Sequence, residues 1–255
     1  MSGVAVVLHQ FRFDQKVFWR NPAAVFFTAL LPLLFLFLLA TIFKNTHISD
    51  VDVKGATYYI PAILTLAVVS ATTVKLATNL PAEREAGQLK RVRGTPLPPA
   101  VFIAGRVGNS LVISVIMVVL VSAIGALLYG VTIPTSTMPA MLVTLAVGAF
   151  SFSCLGFALA AAIPTAQAAP AVTNATVLPL YFLSGVFIPQ DELPNGVLNF
   201  ASVFPIRPFF EAMFATWDPH TTGAGFEWGH LAVVAAWGLF GLVIAVRFFR
   251  WEPRR

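Results

Sequence analysis

The sequence predicts an all-α protein that crosses a lipid bilayer several times, and three observations support this fold class. Of its 255 residues, 58% are hydrophobic and only 11% are charged, whereas an ordinary soluble domain carries about 25% charged residues. Six apolar stretches are each long enough to cross a bilayer as a helix, which takes about 20 residues. Lysine and arginine collect in alternate connecting segments. The six predicted spans are roughly residues 23–43, 58–80, 101–129, 138–163, 170–188 and 228–249.

We expect one transmembrane domain over residues 1–255, with no room for a sizeable soluble domain. In a soluble protein the net charge of +5 would indicate nucleic acid, but the positive-inside bias accounts for it, so no nucleic-acid partner is expected. The single cysteine, Cys154, excludes an intrachain disulfide and a cysteine-rich metal site. The four histidines are scattered and no catalytic arrangement stands out. We therefore expect no metal site, cofactor site or catalytic site in this chain.

Residues 1–20 predict an amphipathic helix that lies in the membrane interface. Its apolar side chains share one helical face, and three basic side chains follow at intervals of four on the flank. The apolar set is Val4, Val7, Leu8, Phe11 and Phe18, and the basic set is Arg12, Lys16 and Arg20. Such a helix turns its apolar side to membrane lipids and its basic side to phosphates or a protein partner. A simple anchoring helix and a partner-facing surface both remain open.

The distribution of lysine and arginine predicts the orientation. Twelve of the 16 lie on the side of both termini and of the loop after the second span, three lie on the other side, and Lys75 lies within a span. Both termini are therefore expected in the cytoplasm. Lys75 is expected to snorkel to the nearby interface, the alternative being a functional intramembrane charge. The twelve are Arg12, Lys16, Arg20, Arg84, Lys90, Arg91, Arg93, Arg106, Arg247, Arg250, Arg254 and Arg255, and the three are Lys44, Lys54 and Arg207.

Residues 81–93 hold a dense charge cluster and predict a short cytoplasmic helix. Six of the chain's 27 charged residues fall between Glu83 and Arg93. Pro81 suits the first helical position, the acidic residues suit the positive end of the helix dipole, and the basic residues with Gly94 suit the other end. A solvated helix explains the charges but not the apolar stripe that crosses it. The stripe consists of Ala82, Ala86, Leu89 and Val92.

Between spans five and six, residues 189–217 are too long for a turn and too interrupted for a span. Their prolines predict two short helical pieces, in which Arg207 and Glu211 are four residues apart and can pair. An apolar but interrupted segment can dip back into the outer leaflet where protein covers it. An amphipathic loop on the outer surface is the alternative. The interrupting prolines are Pro194, Pro205 and Pro208.

Two motifs in these segments resemble the permease subunits of the ABC-2 family of exporters. The first is EREAGQLKRVRGTP, an ERExG-type helix followed by a TP dipeptide between spans two and three. The second is SGVFIPQDELPNGVLNFASVFPIRPFFEAMF, residues 184–214, with a small-residue step, a proline, an LP pair, a second proline and a final helix. The resemblance runs through the whole chain in order. Residues 91–94 depart from it, because the family often carries a leucine-rich stretch before TP.

The resemblance implies a subunit of an exporter in a bacterial plasma membrane, driven by a separate cytoplasmic ATPase. The chain has no GxxxxGK[ST] motif, so ATP and Mg would be held by that partner, and this chain would not be an enzyme by itself. A second permease copy, identical or related, would complete the assembly. The cargo would be amphipathic or lipophilic: a drug, a lipid or a lipid-linked glycan. The alternative is a stand-alone secondary transporter or an intramembrane enzyme, but either would need ionisable or converging polar groups near the midplane.

The resemblance also implies three groups of site residues. A coupling helix at 81–93 would sit in a cleft of the ATPase, with Glu83, Arg84, Glu85, Gly87, Leu89, Lys90, Arg91, Thr95 and Pro96 as its contact residues. The N-terminal helix would support the same interface through Arg12, Lys16 and Arg20. Residues 189–217 would form a re-entrant hairpin that closes the exit of the pathway, with Pro189, Leu193, Pro194, Pro205 and Glu211.

Overall fold

The computed structural model describes residues 3–43, 46–48, 53–95 and 98–249, and these ranges are mostly helical. The helices are α1 (Gly3–Trp19), α2 (Pro22–Ile42), α3 (Gly55–Val69), α4 (Lys75–Glu85), α5 (Gln88–Arg93), α6 (Pro99–Tyr129), α7 (Met138–Ala162), α8 (Ala169–Leu183), α9 (Asn195–Ser202), α10 (Ile206–Ala215) and α11 (Trp228–Phe248). A π-helical segment, Ser70–Val74, joins α3 to α4, and a 3₁₀ turn, Gln190–Glu192, precedes α9. The two-residue strands β1 (His47–Ile48) and β2 (Val53–Lys54) pair antiparallel. Pro96, Lys44, Arg250, Arg254 and Arg255 lie outside the described residues.

Four helices in the described ranges are long and apolar enough to cross a membrane. They are Gly55–Glu85, Ala100–Tyr129, Met138–Ala162 and Trp228–Phe248. Two shorter apolar stretches, Thr28–Ile42 and Ala169–Leu183, lie in α2 and α8. Helix α8 ends before the predicted residue 188 because the chain turns at Gly185, whose φ of +86° is left-handed.

The second predicted span is longer than the sequence indicates. We expected it to end near residue 80 and Pro81 to begin a new helix, but Pro81 lies inside α4, which continues to Glu85. This expectation is wrong because tertiary contacts of the next turn hold the helix beyond the proline. Helix α3 is the centre of the bundle, since nearly every one of its residues is buried, and α2, α6, α7 and α10 pack around it.

Residues 189–217 contain two short helices, α9 and α10, as the prolines predict. Helix α10 is buried, and the Phe209 ring lies against Gly148 and packs edge-to-face on Phe152, with ring centroids 5.2 Å apart. Gly148 is ten residues into α7, which corresponds to about 15 Å along the helix. In the turn between α9 and α10, the carbonyl oxygen of Val203 accepts a 2.7 Å hydrogen bond from Trp237 Nε1, near the middle of α11. Helix α10 is therefore an interior element, not a surface loop.

Helix α1 lies along the first turns of α6. A Cβ atom at Gly105 would stand 2.7 Å from Cγ of Gln10, and one at Gly108 would stand 3.2 Å from the Phe11 ring, so both glycines permit the close approach. Phe18 is buried near the end of α1. The basic side chains Arg12 and Lys16 are exposed. Helix α1 is thus attached to the bundle along one side and open to its surroundings along the other.

Candidate functional site

Gly87 divides the charged segment after the second span into two parts. Its φ of +69° is left-handed, so α4 ends at Glu85 and α5 begins at Gln88. The amide nitrogen of Gly87 donates to the Arg84 carbonyl oxygen at 3.1 Å, which closes the last turn of α4. The prediction of one continuous helix over residues 81–93 is therefore wrong. Because the chain changes direction at Gly87, the residues on its two sides have different surroundings.

Arg84 points into the protein. Only 1% of its surface is exposed, and its guanidinium donates to the carbonyl oxygens of Ile163 at 2.7 Å, Pro164 at 3.0 Å and Ala160 at 3.5 Å. Carbonyl groups in the last turn of a helix lack hydrogen-bond donors within that helix. At the end of α7, the Arg84 guanidinium supplies these donors. The expectation that Arg84 contacts a partner subunit is wrong, because its side chain is enclosed by its own chain.

Glu83 and Glu85 are also engaged within the chain. One oxygen of the Glu83 carboxylate accepts a 2.7 Å hydrogen bond from Arg106 Nη2. Glu85 Oε1 accepts a 2.8 Å hydrogen bond from the amide nitrogen of Ala166, in the connection between α7 and α8. Both carboxylates therefore hold the end of α4 against neighbouring elements.

Arg106 is shared between Glu83 and a second acid, Asp14 of α1, whose Oδ1 lies 3.7 Å from Arg106 Nε. Gln10 Nε2 donates to the same Asp14 oxygen at 3.2 Å. Burial raises the pKa of the Asp14 carboxyl above its usual 3.8, and the Arg106 charge opposes that rise. Asp14 is not among the residues predicted from the sequence, although it is the one acid within residues 1–20. The cluster joins α1, α4 and α6.

Leu89 is buried in the chain's own core, with 1% of its surface exposed. It belongs to a cluster with Leu80, Phe102 and Phe157, from α4, α6 and α7. The other members of the predicted stripe do not share its surroundings, because Ala82 and Ala86 are exposed and Val92 is half-buried. The stripe is therefore not one partner-facing surface, and the placement of Leu89 in an ATPase cleft is wrong. The turn at Gly87 rotates α5 so that Leu89 faces inward.

Of the remaining residues of the predicted coupling group, Lys90, Arg91 and Thr95 are exposed, and Pro96 lies outside the described residues. Gln88, Lys90 and Arg91 are exposed on α5. Thr95 is exposed as well, and its hydroxyl donates to the Val92 carbonyl oxygen at 2.6 Å, which closes α5. We call Gln88, Lys90 and Arg91 the basic face of α5. On α1, the predicted contact residues Arg12, Lys16 and Arg20 are all exposed.

At the other end of the bundle, Pro189 precedes the 3₁₀ turn Gln190–Glu192 and Leu193 follows it, and Pro194 and Pro205 directly precede α9 and α10. Arg207 Nε donates to Glu211 at 2.8 Å, so the predicted pair is confirmed. Glu211 also lies 3.1 Å from His230 Nε2 at the start of α11. Glu211 therefore links α10 to the last long helix.

Two features at the second span were not expected. The Lys75 ammonium does not snorkel to the surface, because its Nζ is buried and lies 4.2 Å from the centroid of the Phe18 ring, with no hydrogen-bond acceptor among the described residues. The π-helical segment precedes it, and π-helical turns often occur at functional sites. The hydroxyl of Thr73 donates to the Phe152 carbonyl oxygen at 2.7 Å. A π turn is stabilised by tertiary contacts such as this hydrogen bond, whose two residues are 79 positions apart. No local sequence pattern therefore indicates it.

Comparison with known proteins places the chain in a family. The model of the family described as ABC-2 type transporter matches residues 8–216, a range that includes the Asp14–Arg106–Glu83 cluster, α5 and α10. The chain belongs to the ABC-2 type transporter family. A Bacillus subtilis (strain 168) protein named "Putative transport permease YvfS" is 19% identical over 232 residues, which cover 91% of this chain and 92% of that protein.

The family and the apolar helices together identify this ABC-2 transporter as a multi-pass membrane protein with a transport permease role. Within this protein, the charged segment divides into two parts with different surroundings. Glu83, Arg84 and Glu85 attach the end of α4 to α6, α7 and the α7–α8 connection. The basic face of α5 exposes the cationic side chains of Lys90 and Arg91 at the surface.

Proposed function

We propose that this chain is the permease subunit of an ATP-driven exporter whose ATP is hydrolysed by a separate cytoplasmic subunit. In this proposal the chain crosses the membrane six times, with α2 and α8 as the two shorter spans and with both termini and α5 in the cytoplasm. The distribution of twelve cations against three supports this orientation. Cysteines introduced at Thr46 and Asn195 should react with an impermeant thiol reagent in intact cells, whereas one at Gln88 should not. Labelling of the Gln88 site in unbroken cells would contradict the orientation.

One observation carries the proposal: α5 presents cations outward while its buried side chain is fixed among the spans. Leu89 packs with residues of α4, α6, α7 and α11, the last contributing Ala245. Protein interiors are close-packed and transmit displacement. A force on the basic face of α5 would therefore move several helices together, as coupling of ATP hydrolysis to transport requires.

The charge of α5 indicates the chemistry of the partner. Lys90 and Arg91 are exposed within a six-residue helix that has no acid, so an acidic cleft on the ATPase would be complementary. Helix α1 would support the same interface through Arg12, Lys16 and Arg20, which are exposed. We propose an assembly of two permease copies, identical or related, with two ATPase copies.

We further propose that α9 and α10 form a re-entrant hairpin that closes the outer exit of the pathway. The buried position of Phe209 against the middle of α7 and the hydrogen bond from Trp237 to Val203 support a hairpin whose turn reaches mid-depth. Pro205 is buried at this turn. The cavities along the spans are lined mostly by apolar side chains, which favours an amphipathic or lipophilic cargo.

The proposal is tested by co-expression of the chain with a candidate ABC ATPase subunit. The two should purify in a two-plus-two ratio, and the complex should hydrolyse ATP, whereas the isolated chain should not bind nucleotide in calorimetry. The double variant Lys90→Glu, Arg91→Glu should lose the ATPase on purification, because it reverses the charge of the basic face. Lys54→Glu, an exposed position on β2, is the matched control and should retain it. Nucleotide binding by the isolated chain, or an unchanged complex with the double variant, would refute the proposal.

A further inference from the structure

Helix α8 rests on the second span along one line of side chains. Val177, near the middle of α8, lines two cavities together with residues of the π-helical segment Ser70–Val74, and α8 packs on that segment. The buried residues of α8 follow one another at intervals of four, which places them on one helical face. We call them the contact line of α8: Ala169, Thr173, Val177 and Tyr181.

The two cavities lie on opposite flanks of the contact line. The first, of about 360 Å³, separates α8 from α7 and α11 and is lined on α8 by Thr176, Val177 and Leu180. The second, of about 630 Å³, separates α8 from α2, and its lining on α8 includes Asn174, Val177 and Leu178. At 3.6 residues per turn, Thr176 and Leu180 lie on one side of Val177, and Asn174 and Leu178 lie on the other. Close-packed interiors resist displacement, whereas free volume on both flanks permits α8 to move sideways.

A buried polar link holds α8 on the second span. The Tyr181 hydroxyl donates to the Leu66 carbonyl oxygen at 3.3 Å, one turn before the π-helical segment, and lies 3.4 Å from Ser70 Oγ. Because the phenol carries one hydrogen, Ser70 is the donor of the second bond. Both distances exceed the usual O–H···O distance of about 2.7–2.8 Å. The link therefore fixes an orientation of α8 but is weak enough to open.

The two ends of α8 are attached to different elements. Before its first turn, the amide nitrogen of Ala166 donates to Glu85 at the end of α4, at 2.8 Å. Beyond its middle, α8 packs on α9 and α10, whose connecting turn lines the 360 Å³ cavity through Phe204 and Pro205. Helix α8 thus runs from the charged segment to the α9–α10 turn, and Val177 lies between the two attachments.

We propose that α8 is a lever that rocks about the π-helical segment, and that Tyr181 is the positioning residue that holds its resting orientation. Rocking toward α2 narrows the larger cavity and widens the smaller one, and rocking toward α7 does the reverse. A displacement at Glu85 then reaches the α9–α10 turn with opposite sign, because the pivot lies between them. That this motion couples an ATPase to the exit rests on the function proposed above. The rocking itself is a property of this chain alone.

The test measures the distance between α8 and α11, across the 360 Å³ cavity, by pulsed electron paramagnetic resonance of the purified chain. Spin labels are attached to cysteines at Ala175 and Leu239, which are exposed and outside both cavity linings, after Cys154→Ala removes the native thiol. An excess of unlabelled chain restricts the signal to distances within one molecule. Leu155→Trp, on the α7 wall of this cavity, should lengthen the distance. Leu31→Trp, on the α2 wall of the other cavity, should shorten it, each by about 1–2 Å, the usual size of a helix shift.

Tyr181→Phe tests the polar link, because it keeps the ring and removes the hydroxyl. The distribution of the α8–α11 distance should become about twofold broader, since a second orientation of α8 becomes populated. Tyr129→Phe is the matched control and should leave the width unchanged, because its hydroxyl bonds Thr41 and links α6 to α2 instead. Leu34→Trp, similarly exposed on α2 but outside the cavity lining, is the control for Leu31→Trp and should not shift the distance.

Shifts of the same sign for the two tryptophan variants, no shift for Leu31→Trp, or an unchanged width for Tyr181→Phe would overturn the proposal. If Leu155→Trp does not fold, the other two variants decide the outcome. Assembly with the ATPase is measured separately on the co-expressed complex. A complex that forms while the distance test fails refutes the lever and leaves the permease function intact, and the reverse result refutes the permease function alone.

Discussion

The two halves of the charged segment, residues 83–85 and residues 88–93, each contain three charged residues but have opposite surroundings. In the first half, Arg84 is enclosed and both glutamates accept hydrogen bonds from the chain's own groups. In the second half, the cations of α5 are exposed and Leu89 is enclosed. A charge cluster between two spans is thus no guide to which of its members face water. The left-handed turn at Gly87 determines which of these side chains face water.

The difference between the halves separates attachment from recognition. Substitutions that disturb the inward half should destabilise the isolated chain, because their partners belong to the same molecule. Substitutions on the basic face of α5 should leave the isolated chain stable and affect only association with a partner. Leu89 belongs by sequence to the second half and by packing to the first, so it provides the most severe test.

Leu89→Asp should have the largest effect. It places a carboxylate among Leu80, Phe102 and Phe157, and a charge buried without a partner together with the lost apolar contacts should cost about 4 kcal/mol. The purified variant should unfold at a much lower temperature in detergent, or fail to give a monodisperse preparation, even without any ATPase. Ala86→Asp, three residues earlier and exposed, should behave like the parent. An unchanged unfolding midpoint for Leu89→Asp would show that α5 is not docked on the spans.

Arg84→Met should have the next largest effect. The methionine fills part of the space but leaves the carbonyl groups of Ile163 and Pro164 without their donor at the end of α7, which should cost about 3 kcal/mol. The thermal unfolding midpoint of the isolated chain should fall, and protease cleavage in the α7–α8 connection should become faster. Arg91→Met on the basic face removes the same charge from an exposed position and should change stability by less than about 0.5 kcal/mol. Equal stabilities for the two variants would remove the distinction between the halves.

Glu83→Gln should have a smaller effect. It removes one charge from the hydrogen bond to Arg106, which is 2.7 Å long and about four-fifths buried on both sides, and should cost about 1.5 kcal/mol. The cost is limited because Arg106 keeps Asp14 as a second anion. A double-mutant cycle with Asp14→Asn should therefore be non-additive, since the two carboxylates share one cation. Strict additivity in chemical unfolding would show that α1 and α4 are not linked through Arg106.

Helices α6 and α7 could be predicted from the sequence nearly to the residue. Residues 101–129 and 138–163 were expected, and the structure has Pro99–Tyr129 and Met138–Ala162. Hydropathy suffices there because the apolar runs are bounded by prolines and by Gly130, which is left-handed. Intervals of four residues likewise predicted the Arg207–Glu211 pair.

The inward half of the charged segment could not be predicted, because its partners are distant in sequence. The carbonyl groups that Arg84 serves lie 76 to 80 residues later, and their position depends on how α7 packs on α4. The same holds for Lys75. Its position near the end of the second predicted span indicated that its side chain snorkels to the interface, but its ammonium group is covered by Phe18 of α1. Local patterns locate a charged segment; only the packing of the spans decides which side chains it turns inward.

Gly87→Ala should have the smallest effect and bears directly on the turn that separates the halves. A Cβ atom at Gly87 would meet nothing within 4 Å, so the cost comes only from the left-handed backbone at φ +69° and should be about 1 kcal/mol. Gly94→Ala is the matched control at the other end of α5. Its φ is −74° and its Cβ would make ordinary contact with Arg91, so this variant should be neutral or stabilised by about 0.5 kcal/mol through a less flexible unfolded chain.

The free energy of unfolding of the isolated chain is measured by chemical unfolding for both alanine variants. If it falls for Gly87→Ala and rises for Gly94→Ala, the turn at Gly87 is required. Gly87→Asn should recover part of the loss, because asparagine tolerates the left-handed region better than alanine. If Gly87→Ala were instead as stable as the parent, residues 81–93 could continue as one helix. Leu89 would then turn outward with Ala82 and Ala86, and the stripe would again be available to a partner.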